Sequence, residues 1–324
     1  MWGGQRSTER SRRSPTRPAY ASLFVEQLTF SGILLQPNLR SLWFLTLTEL
    51  YWTMSIENYQ FYYSLIGNPD KPAILFLHGF MGNINEFDEA IKLLYDEFYY
   101  LKIDLPGHGK TQLLGADEYY TMANTAYALI NLLDELKIAK CFLVGYSMGG
   151  RLALYLTLHF PERFHKVVLE SASPGLPTEA ERLERIKIDT QIGRKLTRSI
   201  KKSDFATFLS NWYNQPIFGY IKNHPEYDRM IESRLQNNPH ELDKSLRFMG
   251  TGCQPSLWEK LQENKIPLIL LVGEYDKKFI SINTEMDQRC ELAQLKIISN
   301  AGHNIHFENT LAFVENLKYF FYAA

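Results

Sequence analysis

From Met54 onward, short apolar runs alternate with stretches whose apolar residues recur every three or four positions. Ala73–Leu77 is an almost unbroken apolar run, as expected of a strand buried on both faces. Tyr59–Leu65 is rich in strand-favouring aromatics, and Tyr99–Ile103, Phe142–Val144, Lys166–Leu169, Leu268–Val272 and Leu295–Ile298 read as further strands. Between them, Phe87–Tyr95, Thr121–Leu136, Arg151–His159 and Leu311–Phe320 carry helical spacing. Strands alternating with helices predict βαβ units, and so an α/β fold with a mainly parallel central sheet flanked by helices. The rhythm breaks between Ser173 and Pro255, a stretch rich in helix formers, arginine and lysine. Residues 173–255 are therefore expected to form a helical cap inserted into a core built from residues 54–172 and 256–324.

Charge changes the picture at the N-terminus. Residues 1–53 hold six arginines, three acids and no lysine, whereas every lysine follows Met54. This segment is read as an extension outside the folded unit: disordered, a targeting sequence, or a start placed too far upstream. A packed N-terminal element is the remaining alternative. Arg- and Ser-rich, acid-poor starts resemble transit peptides, which would place the protein in a plastid rather than the cytoplasm.

The whole chain is 45% hydrophobic and 22% charged, ordinary for a globular protein, and its net charge of −1 gives no basic footprint for nucleic acid. No run of 18 apolar residues occurs, which argues against a membrane span; Ser41–Trp52 is too short and includes Glu49. Cys141, Cys253 and Cys290 are too widely spaced for a zinc site or a disulfide framework, so no metal and a reduced, cytoplasmic setting are expected.

The chemistry concentrates at strand ends. Gly145-Tyr146-Ser147-Met148-Gly149 follows the apolar strand and opens the helix near Gly150, the setting of a nucleophile elbow. A serine hydroxyl needs a histidine oriented by a carboxylate. His303, in Asn300-Ala301-Gly302-His303-Asn304, lies between the last strand and last helix, with His306 as a competitor. Asp276 follows Leu268–Val272, with Glu170 as the rival acid. The order Ser147, Asp276, His303 is the one this architecture uses. In His78-Gly79-Phe80-Met81-Gly82 the glycines free the backbone, so the amides of Phe80 and Met148 can form an oxyanion hole. His78, Asp104 and His108 are assigned structural roles.

Together these motifs resemble the α/β-hydrolase superfamily over about residues 58–322. Narrower features resemble the 2-succinyl-6-hydroxy-2,4-cyclohexadiene-1-carboxylate synthases of menaquinone and phylloquinone biosynthesis. They are Gly145-Tyr146-Ser147-Met148-Gly149-Gly150-Arg151, Ser173-Pro174-Gly175-Leu176, Glu181-Arg182-Leu183-Glu184-Arg185, Phe208 to Phe218, and Met249-Gly250-Thr251-Gly252. The resemblance implies a carbon–oxygen lyase that eliminates pyruvate, with Ser147, His303 and Asp276 acting as a proton-abstracting base. It also implies that Arg151, Arg185 and Arg234 hold substrate carboxylates, with Arg182 a neighbour of the same chemistry. Trp212 and Tyr146 either line the pocket or pack the cap and core. No cofactor is expected, and the partner is a small polycarboxylate; a monomer is the favoured state. A serine hydrolase of a carboxylate-bearing ester or carbon–carbon bond, and a non-catalytic receptor, are the alternatives.

Overall fold

The computed structural model describes residues 49–199 and 201–323. Nine strands form one sheet: β1 (Leu50–Ile56), β2 (Tyr59–Ile66), β3 (Ala73–Leu77), β4 (Tyr99–Ile103), β5 (Gln112–Leu113), β6 (Cys141–Tyr146), β7 (Phe164–Glu170), β8 (Leu268–Gly273) and β9 (Ala293–Ile298). Their spatial order is β1-β2-β4-β3-β6-β7-β8-β9, with short β5 added beside β2. Pairing is antiparallel among β1, β2, β4 and β5 and parallel from β4 onward. The parallel strands are covered on both sides, which is why β3 and β8 read as continuous apolar runs.

Alternate residues of each strand serve different layers. Leu75, Leu77, Leu143, Val167, Leu169, Leu268 and Leu270 face α2 (Met122–Glu135) and α3 (Met148–His159), which follow α1 (Asp88–Leu94). Ile74, Phe76, Val144, Val168, Ile269 and Leu271 face the opposite layer, which contains α1 and the C-terminal helix. Between β7 and β8 the chain leaves the sheet to form α4 (Glu179–Arg198), α5 (Lys202–Trp212), α6 (Tyr227–Arg234) and α7 (Pro239–Met249). These helices have their own apolar centre, with Leu196, Phe205, Leu209, Tyr213, Met230 and Leu242 packed onto Met81 of the core. The start of α4 is set locally. Thr178 Oγ1 accepts from the Glu181 amide, while Glu181 reaches back to the Thr178 amide, a reciprocal capping box. The core closes with α8 (Lys277–Arg289), α9 (Ile305–Glu308) and α10 (Thr310–Tyr322).

The sheet begins before Met54. Leu50–Thr53 pair with Tyr62–Leu65, so the expected boundary at 53/54 cuts through β1. The strand was hidden because its exposed Leu50, Tyr51 and Trp52 lie at a sheet edge and give no alternating pattern. The remainder of the proposed extension, residues 1–48, lies outside the described residues.

Candidate active site

Ser147 is the single residue between β6 and α3. Its backbone adopts φ 50° and ψ −106°, a region few non-glycine residues occupy. The turn is held by the Ser147 amide, which donates to the Glu170 carbonyl at 2.8 Å, and by the Arg151 amide, which donates to the Ser147 carbonyl at 2.9 Å. Glycine is sterically required around it. A Cβ on Gly145 would sit 2.5 Å from the Gly149 carbonyl oxygen, and one on Gly149 would collide with the Leu77 carbonyl.

His303 lies in the loop between β9 and α9, and Asp276 caps α8 by accepting from the Phe279 amide at 3.1 Å. Here the two late loops converge on the elbow. His303 Nε2 is 2.9 Å from Ser147 Oγ, and its Nδ1 is 2.6 Å from Asp276 Oδ2. Asp276 is fully buried and His303 nearly so, leaving the hydroxyl side of the relay facing a cavity. The rivals form a separate pair. Glu170 accepts from the His306 amide at 3.0 Å and lies 2.7 Å from His306 Nδ1, while His306 Nε2 faces Glu86 at 3.2 Å.

The cavity has a volume of about 370 Å³ and is walled by core and cap. Phe80, Tyr146 and Met148 line the core side, and Trp212 lines the cap side with its ring 5.6 Å from that of Phe80. Among the described residues, the amides of Phe80 and Met148 donate to no other backbone group. An N–H at the first position of a helix is free to meet a ligand.

Three cations share this wall. Arg151 donates from Nη1 to the Met249 carbonyl at 2.9 Å and to Gln254 Oε1 at 2.8 Å, and burial together with nearby Arg185 lowers its pKa to about 10. Arg185 is steered by Asp189, one turn further along α4, at 2.7 Å. Lys278 also lines the cavity, and burial together with Arg185 lowers its pKa. It had no signal in the sequence beyond being two residues from Asp276; only the direction of α8 turns it inward. Arg182 donates to the Leu176 carbonyl at 3.5 Å and is not among the cavity residues.

Arg234 is placed differently from the expectation. It is ion-paired to buried Glu86, and its Nε donates to the Tyr213 hydroxyl at 3.2 Å; it does not line this cavity but a second one, with Glu86 and His306. Tyr213 is the wall residue it supports. The reason is tertiary: α6 packs against the loop that carries Glu86, a partner no local pattern reveals.

His78, Asp104 and His108 bear on shape. Asp104 accepts from the amides of Ile84 at 2.6 Å and Lys110 at 2.7 Å, clamping the loop after β3. Burial lowers the pKa of His78 to about 4, and its Nε2 accepts from the Leu105 amide at 2.9 Å. Among the described residues, no group of three or more His, Cys, Asp and Glu is arranged to hold a metal, and no helix is long and apolar enough to cross a membrane.

Comparisons with known proteins bear on the fold and the family. The alpha/beta hydrolase fold family matches residues 72–310. A putative 2-succinyl-6-hydroxy-2,4-cyclohexadiene-1-carboxylate synthase of Bacillus subtilis is 38% identical over 243 residues, covering 74% of this chain and 87% of that protein. The synthase of that name from Citrobacter koseri is 34% identical over 78% of this chain and 94% of its own length. The structure of MenH from S. aureus superimposes with a TM-score of 0.73 and 34% identity, covering 82% of this chain and 97% of that one. The chain is an enzyme with the α/β-hydrolase fold and belongs to the family of 2-succinyl-6-hydroxy-2,4-cyclohexadiene-1-carboxylate synthases.

Proposed function

We propose that this enzyme eliminates pyruvate from 2-succinyl-5-enolpyruvyl-6-hydroxy-3-cyclohexene-1-carboxylate to give 2-succinyl-6-hydroxy-2,4-cyclohexadiene-1-carboxylate, a step of menaquinone or phylloquinone biosynthesis. The observation that carries the reading is a Ser-His-Asp relay opening onto a cavity lined by three cations. The substrate bears carboxylates on the ring, the succinyl arm and the enolpyruvyl arm. Arg151, Arg185 and Lys278 suit such a polyanion, and guanidinium groups bind carboxylates through paired hydrogen bonds.

The chemistry follows from the substrate. The proton on ring C2 is acidified by the succinyl ketone beside it. Ser147 Oγ takes this proton as its own passes to His303, whose imidazolium is stabilised by Asp276. Electrons from the C2–H bond form C2=C3, the C3=C4 bond shifts to C4=C5, and the C5–O bond breaks. The enolpyruvate that leaves acquires a proton and becomes pyruvate. Negative charge gathering on the ketone oxygen is met by the Phe80 and Met148 amides. No acyl-enzyme forms.

The test mixes purified enzyme with the cyclohexene substrate and follows diene absorbance together with pyruvate. Catalysed appearance of both in equal amounts is expected. Turnover of simple esters through a burst of acyl-enzyme, with no action on the cyclohexene, would overturn the reading.

A further inference from the structure

The pair His306 and Glu170, which the reaction above does not use, belongs to a longer buried chain. It runs Glu170, His306, Glu86, Arg234, with charges alternating in sign, and each of these side chains is at most 4% exposed. Each member sits on a different element: β7, the start of α9, the loop after β3, and α6 of the cap. Both ends touch the active site. The Glu170 carbonyl accepts from the Ser147 amide, and Arg234 donates to Tyr213, which lines the cavity. In the middle, the His306 ring meets the edge of Tyr146, the residue before the nucleophile, at 4.9 Å. Phe87 covers its other side at 4.4 Å.

We propose that His306 is a positioning residue for the Ser147 centre. Held as an imidazolium between Glu170 and Glu86, it locks the elbow, the loop carrying Phe80, and the cap in one arrangement. The proposal rests on the reading that Ser147, His303 and Asp276 perform the chemistry. Geometry requires the charged ring: carboxylate oxygens lie 2.7 Å from Nδ1 and 3.2 Å from Nε2, and a neutral imidazole has one N–H to give. Burial opposes the charge, but Glu170 and Glu86 outweigh it and raise the His306 pKa to about 9. Glu308 of α9 adds a further carboxylate nearby, and the cation of Arg234 stands beyond Glu86. A neutral side chain at position 306 would leave two buried carboxylates sharing one arginine, a strain relieved by a shift of the packed loops or by protonation of a carboxylate, either of which breaks this chain of charges.

The experiment measures how fast a fluorophosphonate labels Ser147 in the full chain, a rate that reads triad and oxyanion geometry without the natural substrate. His306→Gln is expected to retain a cooperative melt yet label about tenfold more slowly or worse. It should also lose the fall in labelling that the wild type shows as pH passes about 9. A folded His306→Gln that labels at the wild-type rate with an unchanged pH profile overturns the proposal. Should that variant not fold, nitrogen NMR of the wild type decides. At pH 7.5, ring N–H signals at both nitrogens of His306 support the proposal, and a neutral ring overturns it. Rapid wild-type labelling without action on the cyclohexene removes the lyase reading and leaves this proposal standing. A wild type that resists labelling removes the triad reading and this proposal with it.

Discussion

Ser147 occupies a backbone conformation that costs on the order of 1–3 kcal/mol, and the surrounding hydrogen bonds to Glu170 and Arg151 maintain it. Such strain is useful only if the hydroxyl then meets a correctly oriented base. Asp276 supplies that orientation, because its contact with Nδ1 leaves Nε2 free to accept from Ser147. Replacing Asp276 with Asn keeps the shape but offers an amide in place of the acceptor, favouring the wrong tautomer. Turnover of Asp276→Asn is expected to fall by about 10³–10⁴-fold with the fold intact. Steady-state kinetics beside a thermal melt checks this, and a loss below about tenfold would remove Asp276 from the relay. Ser147 and His303 were legible in the sequence because short glycine-bounded turns determine where their side chains point. Chain order favoured Asp276 over Glu170, but the pairing of Glu170 with His306 across the sheet had no sequence signal.

At the scale of elements, Arg151 joins two parts of the chain that never neighbour each other in sequence. It stands on α3 yet donates to Met249 and Gln254, at and beyond the end of cap helix α7. Those contacts aim the guanidinium and leave its other donors for a ligand. Arg151→Ala should therefore raise KM for the cyclohexene substrate by about tenfold to a hundredfold, the range for losing a charged hydrogen bond of about 1.5–3 kcal/mol. Gln254→Ala, which only frees the side chain, should raise it less. Equal KM values for wild type and Arg151→Ala in steady-state assays would exclude the contact. Arg151 could be read from its spacing to Ser147 along one helix. The cap arginines could not, because the orientation of α4 and α6 is a matter of packing. Arg185 faces the cavity, whereas Arg234 is drawn to Glu86, and Lys278 enters from α8 unannounced.

For the whole molecule, burial of many ionisable groups makes stability a function of pH. Below neutrality several contributions overlap: burial raises Asp104 to about 6 and Glu308 to about 7, and lowers His78 to about 4. Between pH 7 and 9 His306 dominates, since its folded pKa lies near 9 against an ordinary value of 6.5. A base whose pKa is raised on folding adds stability that is complete below the unfolded value and disappears as pH climbs through the folded one. The unfolded chain sheds this proton near 6.5 while the folded chain keeps it, so stability should decline steadily from about pH 6.5 to 9. The slope approaches 1.4 kcal/mol per pH unit at most, giving a total of about 3 kcal/mol. Urea unfolding at pH 6.5, 7.5 and 9 measures it directly. The midpoint is expected to fall at each step, and a midpoint that holds or rises across this range would mean that His306 enters the fold uncharged.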